Sequence, residues 1–261
     1  MNNSVIEISK KKILLFGACG VLGREHAKIL SKSGCELVII DHPKSDVLQY
    51  AKKLGVKGLK IDILNEKTLI KGIKESYKHL KGLDAAIYNV AITSEQLKKD
   101  NSFFSFENYP LSLWKKTIDT NLTGSFLFAR EVGKIFKKQN FGNLINISSI
   151  YGVVAPDHSI YEGEDFDTFP GYSASKSGMI GLSKWLATRW AKNNIRVNSI
   201  SPGGIQNKQS KNFVKKYSKR VPLSRMGKKN EITGILIYLI SDHSSYCTGQ
   251  NFIIDGGLTS W

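Results

Sequence analysis

The chain is poor in the features that mark disulfide-stapled, metal-stapled or membrane-spanning proteins. Three cysteines in 261 residues, Cys19, Cys35 and Cys247, make an odd number without metal-ligand spacing. A disulfide framework and a structural metal site are therefore not expected, and a reducing cytoplasm suits the thiols. No apolar run approaches bilayer length, which excludes a membrane-spanning reading. Lys10, Lys11 and Lys12 with the run Ile13 to Gly23 imitate a signal peptide. The run is short and broken by glycine, and Arg24, Glu25 and His26 follow it where a cleavage site would stand. Neither a Pro/Gly/Ser-rich linker nor a repeat of fixed period divides the chain, so residues 1–261 read as one domain.

Acidic residues are also scarce: 22 against 38 basic ones leave a formal charge of +16. That balance invites a nucleic-acid partner only if the cations cluster. They do not. Lys10 to Lys12, Lys71 to Lys81, Lys134 to Lys138 and Lys208 to Arg220 lie in separate segments, mostly without interleaved stacking aromatics. They read as a solvated surface, and no nucleic-acid partner is expected.

What is present is alternation. Short Val/Ile/Leu-rich runs read as buried parallel strands at Lys12 to Phe16, Glu36 to Ile40, Lys57 to Ile61, Ala85 to Asn89, Asn143 to Ser148, Arg196 to Ile200 and Asn251 to Ile254. Helix-period segments lie between them, clearest at Leu22 to Ser33, Glu66 to His79, Leu113 to Lys138, Tyr172 to Lys192 and Lys229 to Ile240. The expected fold is α/β, a single-domain Rossmann fold whose doubly wound, seven-stranded parallel sheet carries helices on both faces. Ligands of such a sheet bind at the carboxyl ends of its strands.

The chemistry-bearing residues fall at those ends. After the first strand, Gly17-Ala18-Cys19-Gly20-Val21-Leu22-Gly23 opens a helix, a turn on which a pyrophosphate can rest. An ordinary strand-to-helix turn would look the same in isolation. Asp41 ends the second strand, where a carboxylate accepts bonds from an adenosine ribose and repels a 2'-phosphate; NAD(H) is thus favoured over NADP(H), since the nearby cation Lys44 relieves that repulsion only if it folds back. Asp62 with Ile63, and Asn89, Val90 and Ala91, follow the third and fourth strands and can line the adenine and the next stretch of a dinucleotide. Alone, Asp62 reads as a helix cap and Asn89 as a turn.

Ser148 and Ser149 end the fifth strand, and Tyr172-Ser173-Ala174-Ser175-Lys176 begins the next long helix. Residues four apart share a helix face, so the Lys176 ammonium can approach the Tyr172 phenol. An adjacent cation favours phenolate, and Tyr172 could then exchange a proton with a substrate oxygen. The spacing is cheap, since Tyr77 and Lys81 repeat it in a polar helix.

From about Lys11 to Thr259 these pieces resemble the short-chain dehydrogenase/reductase family. The matching segments are the glycine turn, Tyr88-Asn89-Val90-Ala91 for the family's Asn-Asn-Ala-Gly, and Asn121 in a helix. They continue with Asn146-Ile147-Ser148-Ser149, Tyr172 with Lys176, Ser201-Pro202-Gly203-Gly204, and Thr248-Gly249-Gln250 to Asp255-Gly256-Gly257. The resemblance implies hydride transfer between a nicotinamide cofactor and an alcohol or ketone, with Asn121, Ser149, Tyr172 and Lys176 as the catalytic set. It implies that Asn121 holds a helix carbonyl and a water, that Ser149 positions the reacting oxygen, and that Lys176 binds the nicotinamide ribose. Cofactor contacts are implied for Tyr172, Lys176, Pro202, Gly203 and Ile205 besides the residues above. Ser149 is preferred to Ser148 by alignment on Ile150-Tyr151-Gly152. A homotetramer or homodimer pairing through its long helices is implied as well.

The chain departs from the family pattern at Val21, where a second glycine is common, at Tyr88 and Ala91 beside the nicotinamide, and at Asn207, where a Thr is common. A larger departure is the acidic insertion between Ser149 and Tyr172. Its residues Asp157 to Phe169 are expected to cover the substrate, with Glu162, Glu164, Asp165 and Asp167 as acceptors and Tyr161, Phe166 and Phe169 as stacking faces. That composition, and a looser likeness to bacterial members from surface-sugar pathways of the sialic or legionaminic type, suggest a sugar or sugar derivative. A solvated lid without selectivity, a dinucleotide-binding sensor or scaffold without turnover, and a reductase for a non-sugar carbonyl are the alternatives.

Overall fold

The computed structural model describes residues 6–94, 97 and 104–261. Seven strands are present: β1 (Lys12–Phe16), β2 (Glu36–Asp41), β3 (Lys57–Lys60), β4 (Ala85–Tyr88), β5 (Gly142–Ile147), β6 (Ile195–Pro202) and β7 (Asn251–Ile254). All pair in parallel, in the order β3-β2-β1-β4-β5-β6-β7. The winding reverses between β1 and β4, which opens a crevice at their carboxyl ends, the usual ligand position in such sheets.

Parallel strands form because the runs can be buried on both faces. In β1, Ile13, Leu14 and Leu15 are wholly buried and alternate in direction. Leu14 and Phe16 join Leu69, Ile73, Phe128, Phe136 and Met179 on one face; Ile13 and Leu15 join Ala27, Leu30, Val47 and Leu236 on the other. Each fully buried side chain of this size contributes roughly 1.5–3 kcal/mol.

The helices described are α1 (Val21–Lys32), α2 (Val47–Leu54), α3 (Glu66–Leu80), α4 (Leu111–Ile118), α5 (Gly124–Gln139), α6 (Pro170–Trp190), α7 (Lys211–Lys219) and α8 (Thr233–Ile240). Two of them, α2 and α7, are not among the helices expected from periodicity. The long segment expected at Leu113 to Lys138 is α4 and α5 joined by a π-helical turn, Asp119–Thr123. Its widened backbone is matched by a buried donor, since Tyr88 Oη donates to the Thr120 carbonyl at 2.6 Å. Gly124 makes room for this phenol, because a Cβ there would lie 2.4 Å from Tyr88 Oη. Among the described residues no helix is long and apolar enough to cross a membrane.

Candidate active site

The glycine turn is shaped by two contacts. Gly17 has φ +89°, and a Cβ on it would lie 2.7 Å from the Asn89 backbone. A Cβ on Gly23 would lie 2.0 Å from the Gly17 carbonyl oxygen. Neither position tolerates a side chain. Gly20 has room, its nearest neighbour being 3.8 Å away, and it stands at the N-cap of α1. No side chain caps this helix and no carboxylate sits in its first turn. The N–H groups of Val21, Leu22 and Gly23 have no partner within the helix and open onto the turn, a cradle suited to a pyrophosphate.

Asp41 closes the side of this cradle. Its two carboxylate oxygens accept from the backbone N–H groups of Cys19 and His42, each at 2.7 Å. Burial and the Asp41 charge push the Cys19 thiol up to about 12, so it stays protonated. A second cation stands here besides Lys44: Arg24 donates to the Cys19 carbonyl at 3.1 Å, pairs with Asp46 and lies over the Tyr50 ring. Nothing in the local pattern of Arg24 marked it.

At the next strand ends, Asp62 accepts from the Leu64 N–H at 3.0 Å, while the capping of α3 falls to Asn65. The Ile63 side chain is buried in the core, so only its backbone is available to a ligand. Asn89 donates from Nδ2 to the Gly17 carbonyl at 2.8 Å and so braces the glycine turn, with Val90 and Ala91 following. Tyr88, which the family alignment sets beside the nicotinamide, has its side chain in the core. Strand parity turns it to the opposite face from Asn89, where it is wholly buried against Phe16 and Phe128. Pro202 ends β6; a Cβ on Gly203 would lie 2.8 Å from Asp255 Cα, and Ile205 bridges to Gly227. Asn207 is engaged by Lys229 Nζ at 3.2 Å.

The two serines after β5 diverge. Ser148 Oγ donates to the Lys176 carbonyl at 2.9 Å and is structural. Ser149 Oγ accepts from the Tyr151 N–H at 3.2 Å and lies beside the Tyr172 phenol, which it favours in its charged form. Tyr172 occupies the first turn of α6, which Pro170 begins, and Lys176 lies one turn later with Nζ 5.7 Å from the phenol ring centre. Asn121, in the π turn, accepts from the Ile92 N–H at 2.7 Å and donates to Ser175 Oγ at 3.0 Å. Ser175 in turn donates to the Tyr172 carbonyl at 2.8 Å, so Asn121 braces the turn that carries the phenol. Ser149, Tyr172 and Lys176 thus converge, with Asn121 behind them.

The electrostatics differ from the expectation of a phenol lowered by its lysine. Burial pushes the Tyr172 phenol up, and the neighbouring Ser149 hydroxyl offsets this only in part. Burial also pushes Lys176 down to about 7. No carboxylate is among the causes of either shift, so desolvation opposes the charged form of both groups. The protein alone holds a neutral phenol, which is a proton donor. Among the described residues no group of three His, Cys, Asp or Glu could hold a metal ion.

The insertion folds onto α7. Glu164 accepts from Ser210 Oγ at 2.6 Å and from Asn212 Nδ2 at 2.9 Å, Lys216 donates to the Glu162 carbonyl at 2.6 Å, and Arg220 pairs with Asp157. Tyr161 and Phe166 pack on each other and on Phe213, and the buried Phe169 packs on Tyr172. The expected stacking faces are therefore committed to the protein, and Glu164 to α7, because the segment gains a core of its own.

A family model described as enoyl-(acyl carrier protein) reductase matches residues 17–259. The 3-oxoacyl-[acyl-carrier-protein] reductase FabG of Aquifex aeolicus (strain VF5) is 29% identical over 263 residues, which span 97% of this chain and 99% of that protein. The sorbose reductase sou1 of Schizosaccharomyces pombe (strain 972 / ATCC 24843) is 32% identical over 270 residues, 98% of this chain and 99% of that one. A crystal structure of a short chain dehydrogenase from Leptospira borgpetersenii serovar Hardjo-bovis (strain JB197) with bound NAD+ superposes with a TM-score of 0.85 at 30% identity, covering 97% of this chain and 94% of that one.

Proposed function

Because this chain belongs to the short-chain dehydrogenase/reductase family, whose members oxidise CH–OH groups or reduce the corresponding carbonyls, we propose that it interconverts a secondary alcohol and a ketone with NAD(H), through Tyr172. The observation that carries this reading is the convergence of Ser149, Tyr172 and Lys176 at one end of a sheet whose glycine turn leaves the first N–H groups of α1 uncapped.

A bound nicotinamide dinucleotide supplies or accepts the hydride. Its pyrophosphate is assigned to the N–H groups of Val21, Leu22 and Gly23, its adenosine ribose to Asp41, its adenine to Asp62 with the Ile63 backbone, and its nicotinamide half to Asn89 through Ala91 and to Pro202, Gly203 and Ile205. Asp41 is the reason to expect NADH over NADPH. Ser149, oriented by the Tyr151 N–H, holds the substrate oxygen, and the Tyr172 phenol gives that oxygen its proton in the reductive direction. Lys176 has two tasks, to hold the nicotinamide ribose and to set the phenol's charge once a ligand partners its ammonium. Asn121 positions the Tyr172 turn.

The substrate is assigned as a sugar or related polyol ketone, a reading supported by the sorbose reductase similarity and by the phenol-rich wall that the insertion brings to the site. A second reading, a carbonyl on an acyl chain, is favoured by the description of the matching family model and by the FabG similarity. An NADH-coupled screen of ketoses and 3-oxoacyl thioesters, with Tyr172→Phe as blank, separates them: turnover confined to thioesters would overturn the sugar assignment. Self-association is assigned to the α4–α5 and α6 faces, where Phe126 is 47% and Trp185 61% exposed, and sedimentation of the purified chain tests it.

A further inference from the structure

One polar contact beside the catalytic set has no part in the chemistry above. Tyr151 stands two residues after Ser149, in the short 3-10 turn Ile150–Gly152. That turn is pinned to α6, because Ser177 Oγ donates to the Gly152 carbonyl at 3.0 Å and a Cβ on Gly152 would lie 2.8 Å from the Lys176 carbonyl carbon. Tyr151 is thereby fixed relative to α6, whose first turn carries Tyr172. Tyr161 arrives from the opposite side, on the insertion, seated against Phe166 and Phe213 with ring centres 5.7 and 5.5 Å away. The two hydroxyls meet at 2.9 Å.

A phenol carries one proton and two acceptor sites. A single bond between two phenols uses one proton and leaves the other free, and among the described residues neither hydroxyl has a further partner. The surrounding wall is apolar, made by Ile160, Phe166 and Phe213. Burial pushes both phenols up, so both stay neutral over the working range of pH. Of the charges that act on Tyr151, Asp157 and Arg220 are paired with each other, and the Asp167 carboxylate, which also acts on Tyr161, repels an anion. The matching ligand group is therefore neutral and able both to donate and to accept, which describes an alcohol hydroxyl.

We propose that the Tyr151–Tyr161 pair determines substrate specificity by binding a hydroxyl of the substrate near the carbonyl that is reduced. This rests on the polyol-ketone reading and deepens it. A substrate with only hydrocarbon at that position leaves a buried phenol proton unsatisfied, and a site built around such a proton rejects the unhydroxylated analogue far more strongly than an apolar pocket rejects an extra methylene.

The test compares kcat/KM for L-sorbose and for cyclohexanone in the wild-type protein, in Tyr151→Phe, in Tyr161→Phe and in the double variant, with the NADH Kd and thermal midpoint as controls. The expected result is that the wild-type protein favours L-sorbose and that each single variant lowers the sorbose-to-cyclohexanone ratio about tenfold. Because one contact is shared, the double variant falls little further. A ratio unchanged in both single variants, or lowered only along with NADH affinity or stability, overturns the inference and leaves the polyol reading standing. A wild-type protein that does not favour L-sorbose overturns both.

Discussion

Lys176 Nζ donates to the carbonyl oxygen of Ile147 at 2.7 Å, so the ammonium of α6 is anchored to the last residue of β5. The anchor is a neutral dipole, and burial holds the group down to about 7 from its ordinary 10.5. The unfolded chain therefore keeps its proton between about pH 7 and 10.5 while the folded chain releases it, and stability rises with pH across that window. Below it the folded protein carries a buried ammonium and is weakest. Calorimetry of the unliganded protein at about pH 6.5 and pH 9 is expected to show a higher midpoint at the alkaline value, and Lys176→Met is expected to flatten the difference.

His26 works over a lower window. It is wholly buried on α1, with Nδ1 3.1 Å from Thr233 Oγ1 and Nε2 without a partner among the described residues. Burial lowers it to about 4 from 6.5. Its folded value lies below its unfolded one, so stability is lost as pH falls from about 6.5 to 4. His26→Leu is expected to lose less stability between about pH 7 and pH 4.5 than the wild-type protein does, as read by denaturant midpoints. An equal loss in both would remove His26 from this account.

The glycines of the turn are expected to separate by sterics. Gly23→Ala forces a methyl group to 2.0 Å from the Gly17 carbonyl, an overlap that must move the turn, and the cost is expected to reach or exceed about 1–3 kcal/mol. Gly20→Ala meets nothing closer than 3.8 Å and is expected to fold with a midpoint near that of the wild-type protein. Thermal unfolding of the two variants side by side checks this.

Much of this was legible in the sequence, for local reasons. Strands buried on both faces read as apolar runs, and the turn Gly17 to Gly23, Asp41, Ser149, Tyr172 and Lys176 are recognised by position at strand ends. The helix α7 was hidden because its segment is lysine-rich and shows only Phe213 and Tyr217, four apart, as a buried stripe. Lys216 and Arg220, which read as solvated surface, hold the insertion, and a contact between segments about fifty residues apart leaves no local signal. The face that Tyr88 takes was not readable from parity, since all four residues of β4 are buried and both faces of the strand are packed. Desolvation of Lys176 was not readable either, because the i, i+4 spacing that brings a cation to a phenol says nothing of how much water either group keeps.

Asp41 governs the choice of dinucleotide in this account. A 2'-phosphate would lie against a carboxylate already positioned by two backbone N–H groups, and Arg24 is held by Asp46. NADH is expected to bind at least about tenfold more tightly than NADPH, the equivalent of ~1.4 kcal/mol. Asp41→Ala is expected to narrow the gap. Fluorescence titration with both cofactors measures it, and equal affinities in the wild-type protein would withdraw the assignment.

The central claim is that the Tyr172 hydroxyl moves the proton. Tyr172→Phe keeps the ring that packs against Phe169, 5.6 Å between centres, and the backbone carbonyl that Ser175 holds, and it removes only the hydroxyl beside Ser149. The most direct measurement is the NADH oxidation rate on the best ketone found, for the wild-type protein and for Tyr172→Phe, beside the NADH Kd of each. The expected result is a loss of about a hundredfold or more in kcat with NADH affinity within about twofold. A Tyr172→Phe protein that keeps most of its kcat on the same ketone would contradict the account.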